Sequence, residues 1–156
     1  MISPEVLRRY PFFGTLSARQ LKKIAMISEE IGVAKGETLF EESQPAELLF
    51  ILQEGSIDLF FVSQEEFRSE VRKELAVGEI NPGEVVGISG LLAPYFFTAT
   101  ARAGQNCRLI KIDAQALRKL CEQDLQLDCL LVHRAAIVLK ERLLSTRIQL
   151  AASWAK

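Results

Sequence analysis

From Glu29 to Ile112 the sequence consists of short runs rich in β-branched and aromatic residues, and this texture limits the fold more than any other feature. Glycine, proline and polar pairs separate the runs at intervals of about 8–12 residues. Because each run suits one strand and each break holds residues that tight turns favour, the pattern is typical of a sandwich or barrel. We predict eight strands, at residues 29–34, 37–42, 48–54, 57–63, 69–78, 84–86, 96–103 and 107–112.

Helical periodicity lies on both sides of this β-rich region. We predict helices at residues 3–9, 17–27, 114–122 and 124–152. Ser17 and Asp113 are placed to cap the second and third of them. The apolar residues of the last helix cover more than the arc of about 100° that packing on one surface requires. We therefore expect this helix to hold a homodimer together, with deep burial in the monomer as the alternative.

The organisation of the chain follows from its length and from the lack of a Pro-, Gly- or Ser-rich linker. A chain of 156 residues falls within the usual size of one domain. We predict a single domain over 1–156, made of N-terminal helices (1–28), a β region (29–112) and C-terminal helices (113–156).

Charge and hydropathy exclude several classes of protein. The net charge is −1, with 19 basic and 20 acidic residues, whereas a general nucleic-acid surface needs a basic excess. The sequence has no apolar run of the length that a membrane span requires, and its N-terminus lacks the apolar core of a signal peptide. We therefore expect a cytoplasmic protein that binds neither nucleic acid directly nor membranes.

Cysteine and histidine usage argues against metal chemistry and catalysis. The three cysteines, Cys107, Cys121 and Cys129, form no CxxC pair, so we predict buried thiols in a reducing compartment. The single histidine, His133, makes a histidine-based metal site or general base improbable. The sequence thus predicts neither a metal nor an enzyme.

A short segment between two predicted strands is the candidate site. Gly87 and Gly90 remove side-chain bulk, Ile88 and Leu91 are spaced for one helical turn, and Pro94 prevents the helix from continuing. A one-turn helix that follows a glycine leaves backbone N–H groups unpaired at its start, which suits an anion such as phosphate. A simple connection between strands is the alternative.

The order of elements resembles the cyclic-nucleotide-binding domain family, as found in CRP/FNR-type bacterial regulators and kinase regulatory subunits. The segments that carry the resemblance are residues 10–17, 35–40, 49–57 and 83–87. The resemblance covers nearly the whole chain. It implies a mainly β fold: an eight-stranded jelly-roll barrel with N-terminal helices and a long C-terminal helix. It also implies that residues 83–100 form the phosphate-binding segment, called the cassette below.

The resemblance gives a list of candidate ligand-binding residues. They are Gly87, Ile88, Ser89, Gly90, Leu91, Phe97, Thr98, Ala99, Arg102 and Thr146. Thr98 matches a hydroxyl that contacts phosphate in the family, or is a strand residue without a ligand. Arg102 follows four residues later on the same predicted strand face, as a substitute cation or a solvated residue. Thr146 lies near the family's base-contacting hydroxyl, or belongs to an exposed helix end.

Both charged positions of the family's cassette are apolar in this sequence. Nucleotide-binding members have a glutamate after the cassette glycine and an arginine before a Ser/Thr-Ala pair, where this chain has Ile88 and Phe97. Each charge-assisted hydrogen bond contributes roughly 1.5–3 kcal/mol. Losing two removes about 3–6 kcal/mol, or roughly two to four decades of affinity. We predict that cyclic nucleotide, the ligand that the resemblance implies, does not bind in the family's standard way.

Three functions remain after these steps. The first is a non-catalytic regulatory or sensory domain, with an apolar cavity between cassette and helix that holds another small molecule or the chain's own side chains. The second is the sensor of a CRP-type transcription regulator whose helix-turn-helix comes from a longer parent protein or another chain. The third, a cupin-like metalloenzyme, needs a cluster of His and carboxylate ligands that the sequence does not suggest.

Overall fold

A computed structural model describes residues 1–64 and 72–155, so the second half of the break predicted at residues 63–66 and the first residues of the predicted strand 69–78 lie outside the described residues. The helices are α1 (Pro4–Arg8), α2 (Ala18–Met26), α3 (Ala114–Gln123) and α4 (Leu125–Trp154). The strands are β1 (Ser28–Val33), β2 (Thr38–Phe40), β3 (Leu48–Glu54), β4 (Ile57–Gln64), β5 (Arg72–Ile80), β6 (Val85–Val86), β7 (Thr100–Ala103) and β8 (Cys107–Asp113). A one-turn 3-10 helix, Ile88–Leu91, separates β6 from β7, in the predicted order.

The eight strands form two antiparallel sheets of four. Their strand orders are β1-β8-β3-β6 and β2-β7-β4-β5. The mainly β jelly-roll fold with flanking helices is confirmed, but the predicted barrel is wrong because the two sheets are not closed onto each other. Within the described residues, the outer strands β1, β2, β5 and β6 each pair with one neighbour, so no ladder of hydrogen bonds joins the sheets.

Strand β3 in the first sheet is buried on both faces, which explains its unbroken apolar run. Phe50 and Leu52 face the second sheet, in a core shared with Phe40 and Phe97. Leu49 and Ile51 face the other way, into a core shared with the four helices. An antiparallel sheet with one solvated face would alternate apolar and polar residues, so the run itself indicates cover on both sides.

Side-chain caps fix where three of the helices begin. The Ser17 hydroxyl accepts from the Gln20 amide at 3.1 Å, and the Gln20 side chain accepts from the Ser17 amide at 2.9 Å. Asp113 accepts from the Ala116 amide at 2.9 Å, which confirms the second predicted cap. Asp124 caps α4 and also accepts from the Gln20 side chain at 3.1 Å, so it ties α2 to α4.

The domain covers α4 only as far as Arg142. Leu127, Leu131 and Ala135 are buried, whereas every residue from 143 to 155 is exposed. A helix of 30 residues is about 45 Å long. None of the helices in the described residues is both long and apolar enough to cross a membrane.

The cysteines are not all in the core. Cys107 and Cys121 are buried, but Cys129 is exposed because it lies on the side of α4 turned away from the domain. The prediction of three buried thiols is therefore wrong for Cys129. Burial raises the pKa of Cys121 to about 11, with a smaller effect from nearby carboxylates, so this thiol stays protonated and unreactive at neutral pH.

Candidate functional site

The one-turn helix of the cassette begins at a glycine that no other residue could replace without strain. Gly87 has φ +86°, and a Cβ there would lie 3.1 Å from the Leu48 carbonyl oxygen and 3.2 Å from the Phe97 ring. The predicted turn is thus present. The Gly90 amide, one of the predicted anion donors, donates to the Gly87 carbonyl at 3.0 Å inside the turn. Ser89 and Leu91 complete the turn and are half-buried.

Phe97 fills the core behind this turn. Its ring stacks on Phe40, with 3.7 Å between ring centroids and 9° between planes, and only 6% of the residue is exposed. Ring carbons of Phe97 and Phe40 also lie 3.2 and 3.5 Å from the position that a Cβ on Gly87 would take. The position where the family motif carries an arginine therefore holds an aromatic ring that belongs to the core between the sheets.

Ile88 is buried in the other core. Only 4% of Ile88 is exposed, and it packs in the cluster that contains Leu117, Leu127 and Leu131 of the C-terminal helices. Ile88 and Phe97 thus anchor the cassette to two different cores. Two open grooves of about 650 and 600 Å³ lie elsewhere, lined by residues such as Met1 and Met26.

The strand after the cassette is shorter than predicted. It begins at Thr100 instead of residue 96, because residues 95–97 bond the loop before β3. The Ala46 amide donates to the Tyr95 carbonyl at 2.7 Å, and the Phe97 amide donates to the Gln44 carbonyl at 3.0 Å. Thr98 therefore lies in an exposed bend with half-buried Ala99 beside it, and the predicted strand face shared by Thr98 and Arg102 does not exist.

Arg102 is engaged on the outer face of the second sheet. Its two terminal nitrogens contact the two carboxylate oxygens of Glu74 at 3.0 and 3.1 Å, and its guanidinium lies 4.9 Å from the centre of the Phe60 ring. The hydrogen bonds from Arg102 hold the pKa of the Glu74 carboxyl below its usual range. Arg102, which was predicted as a substitute cation for the cassette, thus pairs with a carboxylate outside the cassette.

Thr146 lies on the exposed second half of α4. Its hydroxyl donates to the Arg142 carbonyl one turn earlier at 2.8 Å, a bond within its own helix. Of the ten predicted residues, the structure brings together Gly87, those of the one-turn helix and Phe97. Thr98 and the half-buried Ala99 lie in the bend after them, and Arg102 and Thr146 lie apart on outer or exposed surfaces.

Arg118 of α3 contacts the cassette and was not among the residues predicted from the sequence. One of its terminal nitrogens donates to the Gly90 carbonyl at 2.6 Å and to the Ala46 carbonyl at 3.3 Å. Its guanidinium also lies 4.3 Å from the centre of the Tyr95 ring. Arg118 thus fastens the one-turn helix and the loop before β3 to α3. Its partners are backbone carbonyls, which leave no signal in a sequence.

We expect Arg118→Gln to lower the free energy of unfolding by about 1–3 kcal/mol, because two carbonyls lose a charged donor. Lys119→Gln is the matched control, since Lys119 is the exposed neighbour on the same helix, and a change within about 0.5 kcal/mol is expected there. Urea unfolding of both variants measures the difference. Equal values for the two would contradict the fastening role of Arg118.

Arg142 is the second cassette contact that sequence reasoning missed. From α4 it donates through a terminal nitrogen to the Val85 carbonyl of β6, two residues before Gly87. Its Nε atom is buried and, within the described residues, has no hydrogen-bond partner. Burial lowers the pKa of this guanidinium, an effect that the Glu84 carboxylate partly offsets. Helical phase was the available signal, because Arg142 continues the buried face of α4.

Few groups at the site offer chemistry of their own. Within residues 1–64 and 72–155, no group of three His, Cys, Asp or Glu side chains is placed to hold a metal ion. The cassette side chains that the motif would use are apolar, and the cations close to it, Arg118 and Arg142, come from the C-terminal helices. Through these two arginines, a change of packing in the cassette would be transmitted to α3 and α4.

Comparison with known proteins agrees with the fold. The family model described as cyclic nucleotide-binding domain matches residues 30–124. The chain is similar to a candidate cyclic nucleotide-binding protein from Geobacter metallireducens GS-15, with 37% identity, a TM-score of 0.80 and coverage of 92% of this chain and 99% of that one. No curated protein sequence matches the chain.

Two regulator domains are also similar in structure. The N-terminal domain of a transcriptional regulator from Streptomyces coelicolor A3(2) has 26% identity and a TM-score of 0.66, with 87% of this chain and 91% of that chain covered. The sensor domain of the transcriptional regulator DNR from Pseudomonas aeruginosa has 19% identity and a TM-score of 0.70, with 89% of each chain covered, and shares the fold.

Proposed function

The chain belongs to the cyclic nucleotide-binding domain family, and we propose that it is a non-catalytic regulatory or sensory module that dimerises through α4. We further propose that it does not bind cAMP or cGMP in the family's standard way, and that it acts in the cytoplasm. The family is regulatory and not typically catalytic. The observation that carries the proposal is that α4 contacts the cassette through Arg142 and also exposes an unpartnered apolar stripe.

The apolar stripe has the spacing of a two-stranded coiled coil. It consists of Val132, Ala136, Leu139, Leu143 and Leu150, with Thr146 as its one polar position, and is called the seam below. Successive members are four and three residues apart in turn, which is the a and d pattern of heptads. Leu139 and Leu143 are 47% and 51% exposed. A second copy of this chain is the occupant that fits, because an a/d stripe complements its own copy.

The seam does not compete with the packing of α4 on its own domain. Val132 follows the buried Leu131 by one residue and therefore lies about 100° further around the helix. One side of α4 can contact the cassette while another contacts a partner helix. A ligand that changes the cassette would then change the dimer only if it prefers one arrangement of α4.

The cassette itself argues against standard nucleotide binding. The ribose and phosphate groups of a cyclic nucleotide need charged partners, and the positions that supply them in the family hold buried Ile88 and Phe97. Phe97 is packed on Phe40 and Gly87, so a ligand would first have to displace a stacked ring.

Two measurements test this proposal. Light scattering at 20 µM is expected to give twice the chain mass of 17.5 kDa, and a mass of one chain would contradict the dimer.

Thermal unfolding with 1 mM cAMP or cGMP is expected to shift the midpoint by less than about 1 °C. A 10 µM site would add about 2.7 kcal/mol, or roughly 5–11 °C, and a shift of that size would contradict the ligand proposal.

A second candidate function is the sensor of a transcription regulator. The similarity to the N-terminal domain of the Streptomyces regulator, at 26% identity, favours it. In that case a DNA-binding segment belongs to the same parent protein or to another chain. Pull-down of this chain with a DNA-binding protein from its own source would support the second candidate.

A further inference from the structure

The N-terminal helices carry a local excess of positive charge. Residues 1–28 contain five basic residues and one acidic residue, whereas residues 29–156 contain 14 basic and 19 acidic residues. Arg19 and Lys22 are exposed one turn apart on α2, and Lys23 is half-buried beside them. Within the described residues, none of these three side chains forms an ion pair. The domain itself therefore leaves the cations on this face of α2 unpaired.

An open apolar groove of about 600 Å³ lies beside these cations. Its lining consists of residues 1–4 together with Lys22, Ala25 and Met26 of α2. Met1 and Met26 are 86% and 62% exposed, which makes them two of the most exposed large apolar side chains of the domain. Methionine is unbranched and adapts its shape to a partner, so it is common on surfaces that bind other proteins.

The groove is formed without a partner. The Ile2 amide donates to the Ala25 carbonyl at 3.3 Å, which holds the N-terminal segment against the end of α2. Leu21 and Ile24 on the inner face of α2 are fully buried, so the helix itself is fixed on the core. A partner can therefore dock on a surface that is already in place.

The charges around a second groove decide which kind of partner fits. This groove, of about 650 Å³, adjoins the first at the two methionines and is lined by Glu29, Glu47, Lys111 and Asp113 among others. Lys111 pairs with Glu29 at 2.6 Å, while Glu47 and Asp113 have no ion-pair partner within the described residues. A membrane or a nucleic acid is an extended anionic surface and would meet these carboxylates as well as the cations of α2. A short acidic segment of a protein would meet only the cations.

We propose that residues 1–4, Arg19, Lys22, Ala25 and Met26 form a docking surface for an acidic amphipathic helix of another protein. This set is called the α2 surface below. Apolar side chains of the partner helix enter the groove, and its Asp or Glu side chains face Arg19 and Lys22. A contact of this size is weak and transient, with an expected dissociation constant of about 10–100 µM. The inference goes beyond the proposed function, because no residue of the α2 surface belongs to the seam.

The test uses a labelled synthetic peptide of about 14 residues, made of Ala, Leu and Glu, with Leu at helical spacing and Glu beside it. Fluorescence anisotropy measures its binding to the full chain. Arg19→Glu combined with Lys22→Glu is expected to weaken binding at least about tenfold, because like charges then face each other. Lys35→Glu combined with Lys119→Glu is the matched control, since it changes the net charge equally at exposed positions and is expected to weaken binding less than about twofold.

A second peptide, with Lys in place of every Glu, tests the same contact by a gain of binding. The Arg19→Glu, Lys22→Glu variant is expected to bind this peptide at least about tenfold more tightly than the wild type does. Misfolding cannot produce such a gain. The two glutamates also lie near the N-terminus of α2, where negative charge stabilises a helix, so the variant is expected to fold.

Met1 and Met26 are the two methionines of the sequence, so methyl signals of ¹³C-labelled methionine report on the groove alone. Both signals are expected to shift and saturate with the acidic peptide. Methionine signals that do not respond, equal binding by the wild type and the charge-reversed variant, or no binding at about 1 mM peptide would each overturn the inference. Tighter binding to vesicles of anionic phospholipid than to the peptide, lost in the charge-reversed variant, would overturn it in favour of a membrane. None of these results depends on the dimer through α4.

Discussion

Phe97→Ala is expected to lower the free energy of unfolding by about 3–5 kcal/mol, the cost of removing a buried aromatic ring. The same change at the adjacent Phe96 is expected to cost less than about 1 kcal/mol, because 49% of Phe96 is exposed. The two variants differ by one position in the sequence and remove the same atoms. Their difference therefore measures whether the ring at position 97 is part of the core.

The physical reason is the packing of Phe97 on three sides. The Phe97 ring stacks on Phe40, with 3.7 Å between ring centroids, and shares its core with Phe50 and Leu52. One of its ring carbons lies 3.2 Å from the position that a Cβ on Gly87 would take. Replacing Phe97 by alanine would leave a cavity, and the closely packed residues between the two sheets cannot move far enough to fill it. Urea unfolding at pH 7 provides the values. A small, equal cost at both positions would mean that Phe97 faces an open ligand site, against the proposal of a filled cassette.

Features set by neighbouring residues were predictable from the sequence. The caps at Ser17 and Asp113 and the turn that begins at Gly87 depend on contacts within three or four residues, and all three are present. The order of the elements was predictable for the same reason, since each strand and helix has its own local pattern. Strand β3 was placed over residues 48–54, the same bounds that the structure gives.

Features set by distant residues were not predictable. Residues 95–97 look like the start of a strand, but their backbone groups bond a loop some fifty positions earlier, so the strand begins at Thr100. The open edges that prevent a barrel, and the exposed side of α4 that carries Cys129, likewise depend on how separate elements meet.

The candidate site, like the fold, has some features that the sequence predicts and others that depend on distant residues. The apolar residues Ile88 and Phe97 in the cassette are visible in the sequence, whereas the partners of the nearby arginines are not. Arg102 was a reasonable substitute by spacing, but Glu74 holds it from β5, two strands away in the same sheet. Arg118 and Arg142 bind backbone carbonyls far along the chain. Helical phase indicates that Arg142 lies on the buried face of α4, but no residue type identifies the carbonyl partner of either arginine.

Replacing both Leu139 and Leu143 by lysine is expected to weaken the proposed α4 dimer at least about 100-fold. Each buried leucine contributes about 1.5–3 kcal/mol, and the two substitutions remove four such side chains from a symmetric seam while placing like charges opposite each other. A loss of only about 2.8 kcal/mol already corresponds to a 100-fold change in the dissociation constant. Sedimentation equilibrium over a concentration series measures the effect.

The matched control replaces Leu144 and Ile148 by lysine on the same exposed half of α4. These residues are 59% and 61% exposed, at least as much as the seam leucines, but their heptad positions lie outside a two-stranded interface. The control variant is expected to remain a dimer at 20 µM, and neither variant should change the unfolding of the sheets. Dissociation of the control, with an intact dimer in the seam variant, would place the partner on the other side of α4 and overturn the coiled-coil register.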